Sequence, residues 1–85
     1  MRLYISGIAP ETTEKGFRKH FEKYGLLETV DFWIDVTTGK AKDFAFITMR
    51  AEEAKIVLET LSGQLLDGQK IEISKLESKH KNGAI

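Results

Sequence analysis

Cysteine is absent from this chain of 85 residues, and proline occurs once. Without a thiol there is no disulfide, no thiolate zinc site and no cysteine nucleophile. That composition fits a reducing compartment, so the expected location is cytoplasmic, or nuclear in a eukaryotic cell. An excess of either charge is also missing: 13 Lys+Arg face 13 Asp+Glu, for a formal net charge of zero. This excludes a polycationic coater of nucleic acid, which depends on surplus positive charge. Any nucleic-acid contact must come from a local patch or from stacking. No apolar run approaches the ~20 residues of a membrane helix, so no membrane partner is expected. The apolar stretch after Met1 is interrupted by Ser6 and Gly7 and is too short for a signal peptide. Histidine occurs twice, His20 and His80, with no carboxylate at metal-ligand spacing. No metal and no cofactor are expected, and no nucleophile–base pair or paired carboxylates suggest an enzyme.

What is present is an ordinary globular balance, 41% hydrophobic and 31% charged, in a length that suits one small domain. Arg2 to Ser6 alternates as a strand, with Leu3 and Ile5 on one side and Arg2, Tyr4 and Ser6 on the other. Thr13 is placed to cap a helix, with Glu14 in its positively polarised first turn. Phe17, Phe21 and Tyr24 fall at i, i+4 and i+7, one helical face; Gly25 stands where a C-cap would be. Thr29 to Val36 alternates again, with Val30, Phe32 and Ile34 against Asp31, Trp33 and Asp35. After the turn at Thr37-Thr38-Gly39, Phe44 to Met49 reads as a third strand with Ala45, Ile47 and Met49 inward. Ala51 to Leu61 carries the stripe Ala54, Val57, Leu58 and Leu61 of a second helix, leaving Ile56 outside it. Asp67-Gly68 signals a turn, and Lys70 to Ser74 reads as a fourth strand with Ile71 and Ile73 inward.

The order βαββαβ, with both helices burying their stripes on one sheet face, implies a ferredoxin-like α+β sandwich. The boundaries expected are a domain over 1–75 and a flexible polar tail over 76–85. The opposite sheet face then stays open to water, and the alternation puts Tyr4, Trp33, Phe44 and Phe46 on it. Half of the eight aromatic residues would thus lie outside the core, and an exposed apolar patch of that kind marks a binding surface.

Leu3-Tyr4-Ile5-Ser6-Gly7-Ile8 resembles the RNP2 hexamer of the RNA recognition motif, and Lys42-Asp43-Phe44-Ala45-Phe46-Ile47-Thr48-Met49 resembles its RNP1 octamer. They fall on the first and third strands, as that family requires, and the likeness covers residues 1–75. The resemblance implies a four-stranded antiparallel sheet of order 4-1-3-2 with the two motifs side by side. It implies single-stranded RNA as the partner, with single-stranded DNA as the second candidate, and a monomer that acts in RNA processing, stability or translation control. Carried over residue by residue, Tyr4 and Phe44 would each stack on a base and Phe46 would pack on a sugar or between nucleotides. Lys42 would meet a phosphate. Arg2, Lys70 and the main chain near Ser74 and Lys75 would contact base edges or phosphates. Trp33 would extend the aromatic surface.

Two positions depart from the pattern. Asp43 stands at the usual glycine of RNP1, where its charge beside Lys42 should repel phosphate. Met49 replaces the final aromatic on the core side, where it fills space well. The size and tail resemble small stand-alone RNA-binding proteins of bacteria or an excised eukaryotic domain. The alternative function is a protein-interaction module of the same fold with weak or no RNA binding. Such relatives often lack the RNP aromatics and carry an Arg-x-Phe element after the second helix, which Gly63-Gln64-Leu65-Leu66 does not supply. An acylphosphatase-like hydrolase would need an arginine in the first loop, and Gly7-Ile8-Ala9-Pro10 has none.

Overall fold

Strand alternation and helical stripes combine in a computed structural model that describes residues 1–76. The segment 77–85, which makes up nearly all of the expected tail, lies outside the described residues. The elements are β1 (Arg2–Ser6), α1 (Glu14–Glu22), β2 (Thr29–Ile34), β3 (Ala41–Thr48), α2 (Ala51–Leu61), β4 (Leu65–Leu66), β5 (Gln69–Lys70) and β6 (Glu72–Lys75). β2, β3, β1 and β6 form one sheet in that spatial order, with every neighbouring pair antiparallel. This is the 4-1-3-2 arrangement, with β6 as the fourth strand and β1 and β3 at the centre.

Leu3 and Ile5 of β1, Ala45 and Ile47 of β3, and Ile71 and Ile73 around the start of β6 are buried on one face of the sheet. They meet Phe17 and Phe21 of α1 and Ala54, Val57 and Leu61 of α2 in one core. Met49 joins them, fully buried. The side chain of Thr13 caps α1 by accepting the N–H of Gly16 at 3.0 Å. The helix ends at Glu22, and Tyr24 packs against the core from just beyond it. Gly25 is not a left-handed cap. Among the described residues the glycines at positive φ are Gly7, Gly39, Gly63 and Gly68. Gly25 instead makes room for the side chain of Glu53, whose carboxylate accepts the N–H of Leu26 at 3.3 Å.

Two regions depart from the alternation. Ile34 is 43% exposed, not inward, and Val36 is 96% exposed. The β2–β3 register shifts between Phe32, which faces Ala45, and Ile34, which faces Ala41. Past that irregularity the hairpin runs beyond the core. The turn it leads into is organised by Asp35, whose carboxylate accepts the N–H groups of Thr37 and Thr38 at 2.8 and 3.3 Å. Those two bonds hold the Asp35 carboxyl below its ordinary pKa. The stretch from Leu65 to Lys70 folds as a two-stranded hairpin, β4–β5, outside the main sheet. Both Asp67 (φ +54°) and Gly68 (φ +80°) are left-handed at its tip, as a type I′ turn demands. Lys70 therefore belongs to this hairpin, opposite Leu65, and not to the fourth strand. The reason lies at Ile71, whose N–H and carbonyl bond to Gln64 and Gly63. Pairing with β1 begins only at Glu72, opposite Ser6.

Gly7, which follows β1, has a φ of +81°, and an added Cβ would stand 2.6 Å from the carbonyl oxygen of Lys70. Gly39 is also left-handed, at +76°, but opens onto empty space. Left-handed backbone costs an alanine roughly 1–2 kcal/mol. Gly39→Ala should lose about that much stability in urea unfolding, and Gly7→Ala measurably more because backbone must also move. Equal losses would mean that the strand–hairpin contact at Gly7 yields freely.

Candidate nucleic-acid interface

Cross-strand register decides what the open face presents. β1 sets Arg2 opposite Thr48, Tyr4 opposite Phe46 and Ser6 opposite Phe44 on β3. β3 in turn sets Thr48 opposite Thr29 and Phe46 opposite Asp31 on β2. On the other side, Tyr4 faces Ser74 of β6. Each of these residues alternates with a buried or half-buried one, so all share the face away from the helices.

Three of them are aromatic, and with Trp33 of β2 they form one connected surface. Tyr4 and Phe46 have ring centroids 5.3 Å apart and planes tilted by 45°. Phe44 and Phe46 stand 6.3 Å apart at 65°. Trp33 leans on Phe44 at 5.2 Å and meets Phe46 edge-on at 5.8 Å and 88°. The rings bury one another's edges but remain partly open to solvent, and Trp33 is 41% exposed. Tilted and edge-to-face pairs of this kind are the favoured geometries for aromatic neighbours. They fix the rings in place while leaving ring surface toward water.

Two ion pairs lie on this face. The Arg2 guanidinium donates from Nη2 to Asp31 Oδ2 at 2.6 Å, and its Cζ lies 5.0 Å from the Phe46 centroid. Lys42 Nζ lies 3.8 Å from Asp35 Oδ2. The carboxylate facing Lys42 is thus Asp35 and not its chain neighbour Asp43. Strand alternation sets Asp43 with Ala45 and Ile47, on the other side of β3 from Phe44 and Phe46. Its main-chain carbonyl accepts the N–H of Ile8 at 3.1 Å, tying the loop after β1 to β3. Beyond Arg2, the hydroxyls of Thr29 and Thr48 hydrogen-bond to each other at 2.7 Å.

The structure therefore brings together Tyr4, Phe44, Phe46, Trp33, Arg2 and Ser74. Lys42 lies at the end of the same face. Lys75 is opposite the buried Leu3, so its side chain alternates away from the rings, while its main chain lies on the edge strand beside Tyr4's partner Ser74. Lys70, in the β4–β5 hairpin, stands apart from the rings. Asp31 and Arg2 stand on strands separated by β3. Their union across β3 required the register and was not legible from spacing.

Elsewhere among the described residues, no group of three or more His, Asp or Glu side chains is placed to hold a metal ion, and no helix is long and apolar enough to cross a membrane. His20, on α1, packs edge-on against Phe21 at 5.3 Å. Its Nε2 is buried without a hydrogen-bond partner. Burial, and secondarily Lys23, hold its pKa below the ordinary 6.5, with Asp67 opposing. That is the setting of a structural histidine, on the helix side of the molecule.

Known proteins share this sequence pattern and this fold. The sequence model described as the RNA recognition motif matches residues 3–72. The chain is 33% identical over 79 residues to the RNA-binding protein squid of Drosophila melanogaster, covering 93% of this chain and 23% of that protein. It thus spans less than a quarter of that relative's length. The N-terminal RNA-binding domain of a hypothetical protein superposes with a TM-score of 0.86 at 29% identity, covering 92% of this chain and 80% of that one. The Rna15 RRM with bound RNA has the same fold, with a TM-score of 0.82 at 21% identity over 96% and 93% of the two chains.

Proposed function

The chain belongs to the RNA recognition motif family, and from that premise we propose that its open sheet face binds single-stranded RNA by stacking unpaired bases on Tyr4, Phe44 and Phe46. The observation that carries this reading is the connected set of four rings on the solvent side of the sheet. A flat ring is the natural receptor for a base that is not already stacked in a duplex, because every base offers a π-face. Tyr4 and Phe44 provide the two outer platforms. Phe46, between them, packs on the intervening sugar or base, and Trp33 extends the surface past Phe44. Ser74 on the edge strand borders Tyr4, and Lys42 guides a phosphate at the Phe44 end. The role is recognition rather than catalysis, in RNA processing, stability or translation control. Single-stranded DNA, which offers the same bases, is the second ligand of this surface.

Trp33 is the chain's one tryptophan and sits in the ring cluster, so its emission reports on this site alone. A short single-stranded RNA should quench and shift that emission with saturable dose dependence. The same sequence in a duplex should do so far less, because its bases cannot splay onto protein rings. A flat Trp33 signal under conditions where another method proves saturable binding, together with normal binding by Trp33→Ala, would remove Trp33 from the site.

A further inference from the structure

The salt bridge between Arg2 and Asp31 lies over the aromatic surface. Its members belong to β1 and β2, with β3 between them, so the bond crosses the middle of the sheet above Phe46. Both side chains are accessible, with about 40% exposure for each. An arginine free on a nucleic-acid-binding face would serve phosphates. This one is neutralised by a carboxylate at 2.6 Å, which weakens its pull on a phosphate. The same carboxylate holds the guanidinium against the ring surface, at the level where a stacked base would lie. A guanidinium has five N–H donors in a rigid fork, and among the described residues only Nη2 is engaged. Tyr4, two residues along the same strand and on the same face as Arg2, is a stacking platform beside it. A base resting on Tyr4 would turn an edge toward the unused donors.

Two adjacent N–H donors match an edge that has two adjacent acceptors. Guanine presents that pair as O6 and N7, whereas adenine presents one acceptor beside a donor. We infer that Arg2, positioned by Asp31, selects guanine for the base stacked on Tyr4, with Arg2 the specificity-determining residue and Asp31 the positioning residue. This inference rests on the RNA-binding reading of the open face. The carboxylate that neutralises a cation on that face then has a purpose: it commits the cation to a base edge.

The test uses the full chain and uridine heptamers with one central guanosine, adenosine or 7-deazaguanosine, the last lacking the N7 acceptor. The guanosine probe should bind about tenfold or more tighter than the adenosine probe, and the 7-deazaguanosine probe should fall close to adenosine. Arg2→Ala should level the three probes. Asp31→Asn should reduce the guanosine-to-adenosine ratio, and Asp31→Glu should restore much of it, a ratio that a merely structural role would not move. Equal affinities in the unmodified protein would overturn the inference. So would a guanosine preference that survives either 7-deaza substitution or Arg2→Ala. The two levels separate through the ring variant Phe44→Ala/Phe46→Ala. If that variant loses binding but the unmodified protein treats all probes alike, only the guanine assignment fails. If no probe binds, or if the ring variant binds fully, the RNA-binding reading of the face fails and the guanine assignment with it.

Discussion

Replacing Phe44 and Phe46 together with alanine should weaken binding of a short single-stranded RNA by roughly a hundredfold and leave the domain folded. Base–ring stacking contributes about 1–3 kcal/mol per base. Two independent rings would therefore account for about 2–6 kcal/mol. Phe44 and Phe46 are not independent: their centroids are 6.3 Å apart, and both touch Trp33. Removing one loosens the other, so their losses should fall short of the sum. That places the double variant near the lower half of the range. The cost to folding is smaller, because the rings pack on one another and not in the core between sheet and helices. Fluorescence anisotropy on labelled RNA and urea unfolding on the same samples check both halves. Undiminished affinity in a folded double variant would show that RNA does not use these rings.

The opposite pattern is expected on the other side of the sheet. Phe17 is fully buried, and its ring lies 4.9 Å from Phe21 and 5.2 Å from Phe32. It thereby joins α1 to β2 at the centre of the core. Truncating a buried phenylalanine to alanine costs about 3–5 kcal/mol, because the transfer energy is lost and a cavity remains. Domains carry ~0.05–0.15 kcal/mol of stability per residue, which for this length gives a total of about 4–13 kcal/mol. Phe17→Ala should therefore remove a large share of the stability and lower the melting temperature by well over 10 °C. Whatever fraction remains folded should bind RNA with unchanged affinity, since Phe17 is nowhere near the open face. A Phe17→Ala domain that melts within a few degrees of the unmodified one would contradict the packing described here.

These two aromatic sets were separable in the sequence because a strand sends alternate residues to opposite faces. The positions of Leu3 and Ile5 fixed where Tyr4 must point, and Ala45 and Ile47 did the same for Phe44 and Phe46. Element order and the two RNP-like motifs then gave the sheet order. The failures came where alternation was assumed to continue past the core. Ile34 has the spacing of an inward residue, but the register shift in the β2–β3 hairpin takes it beyond the helices. Lys70 has the spacing of a fourth-strand residue, but Ile71 spends its main-chain bonds on the loop after α2. The charged pairs were illegible for a different reason. Arg2 meets Asp31, and Lys42 meets Asp35 rather than Asp43, through strand register and turn geometry. Neither appears in local spacing.

The central claim is that the sheet face carrying β1 and β3 is the RNA surface. Backbone amide chemical-shift mapping during titration with a pool of short single-stranded RNAs tests it most directly, because it surveys both faces in one experiment. The account predicts saturable shifts concentrated at Tyr4, Phe44 and Phe46 and their strand neighbours, with the Trp33 indole resonance moving and α1 and α2 nearly silent. Shifts concentrated on α1 and α2, or no shifts at saturating RNA, with the β1 and β3 amides unmoved, would contradict it.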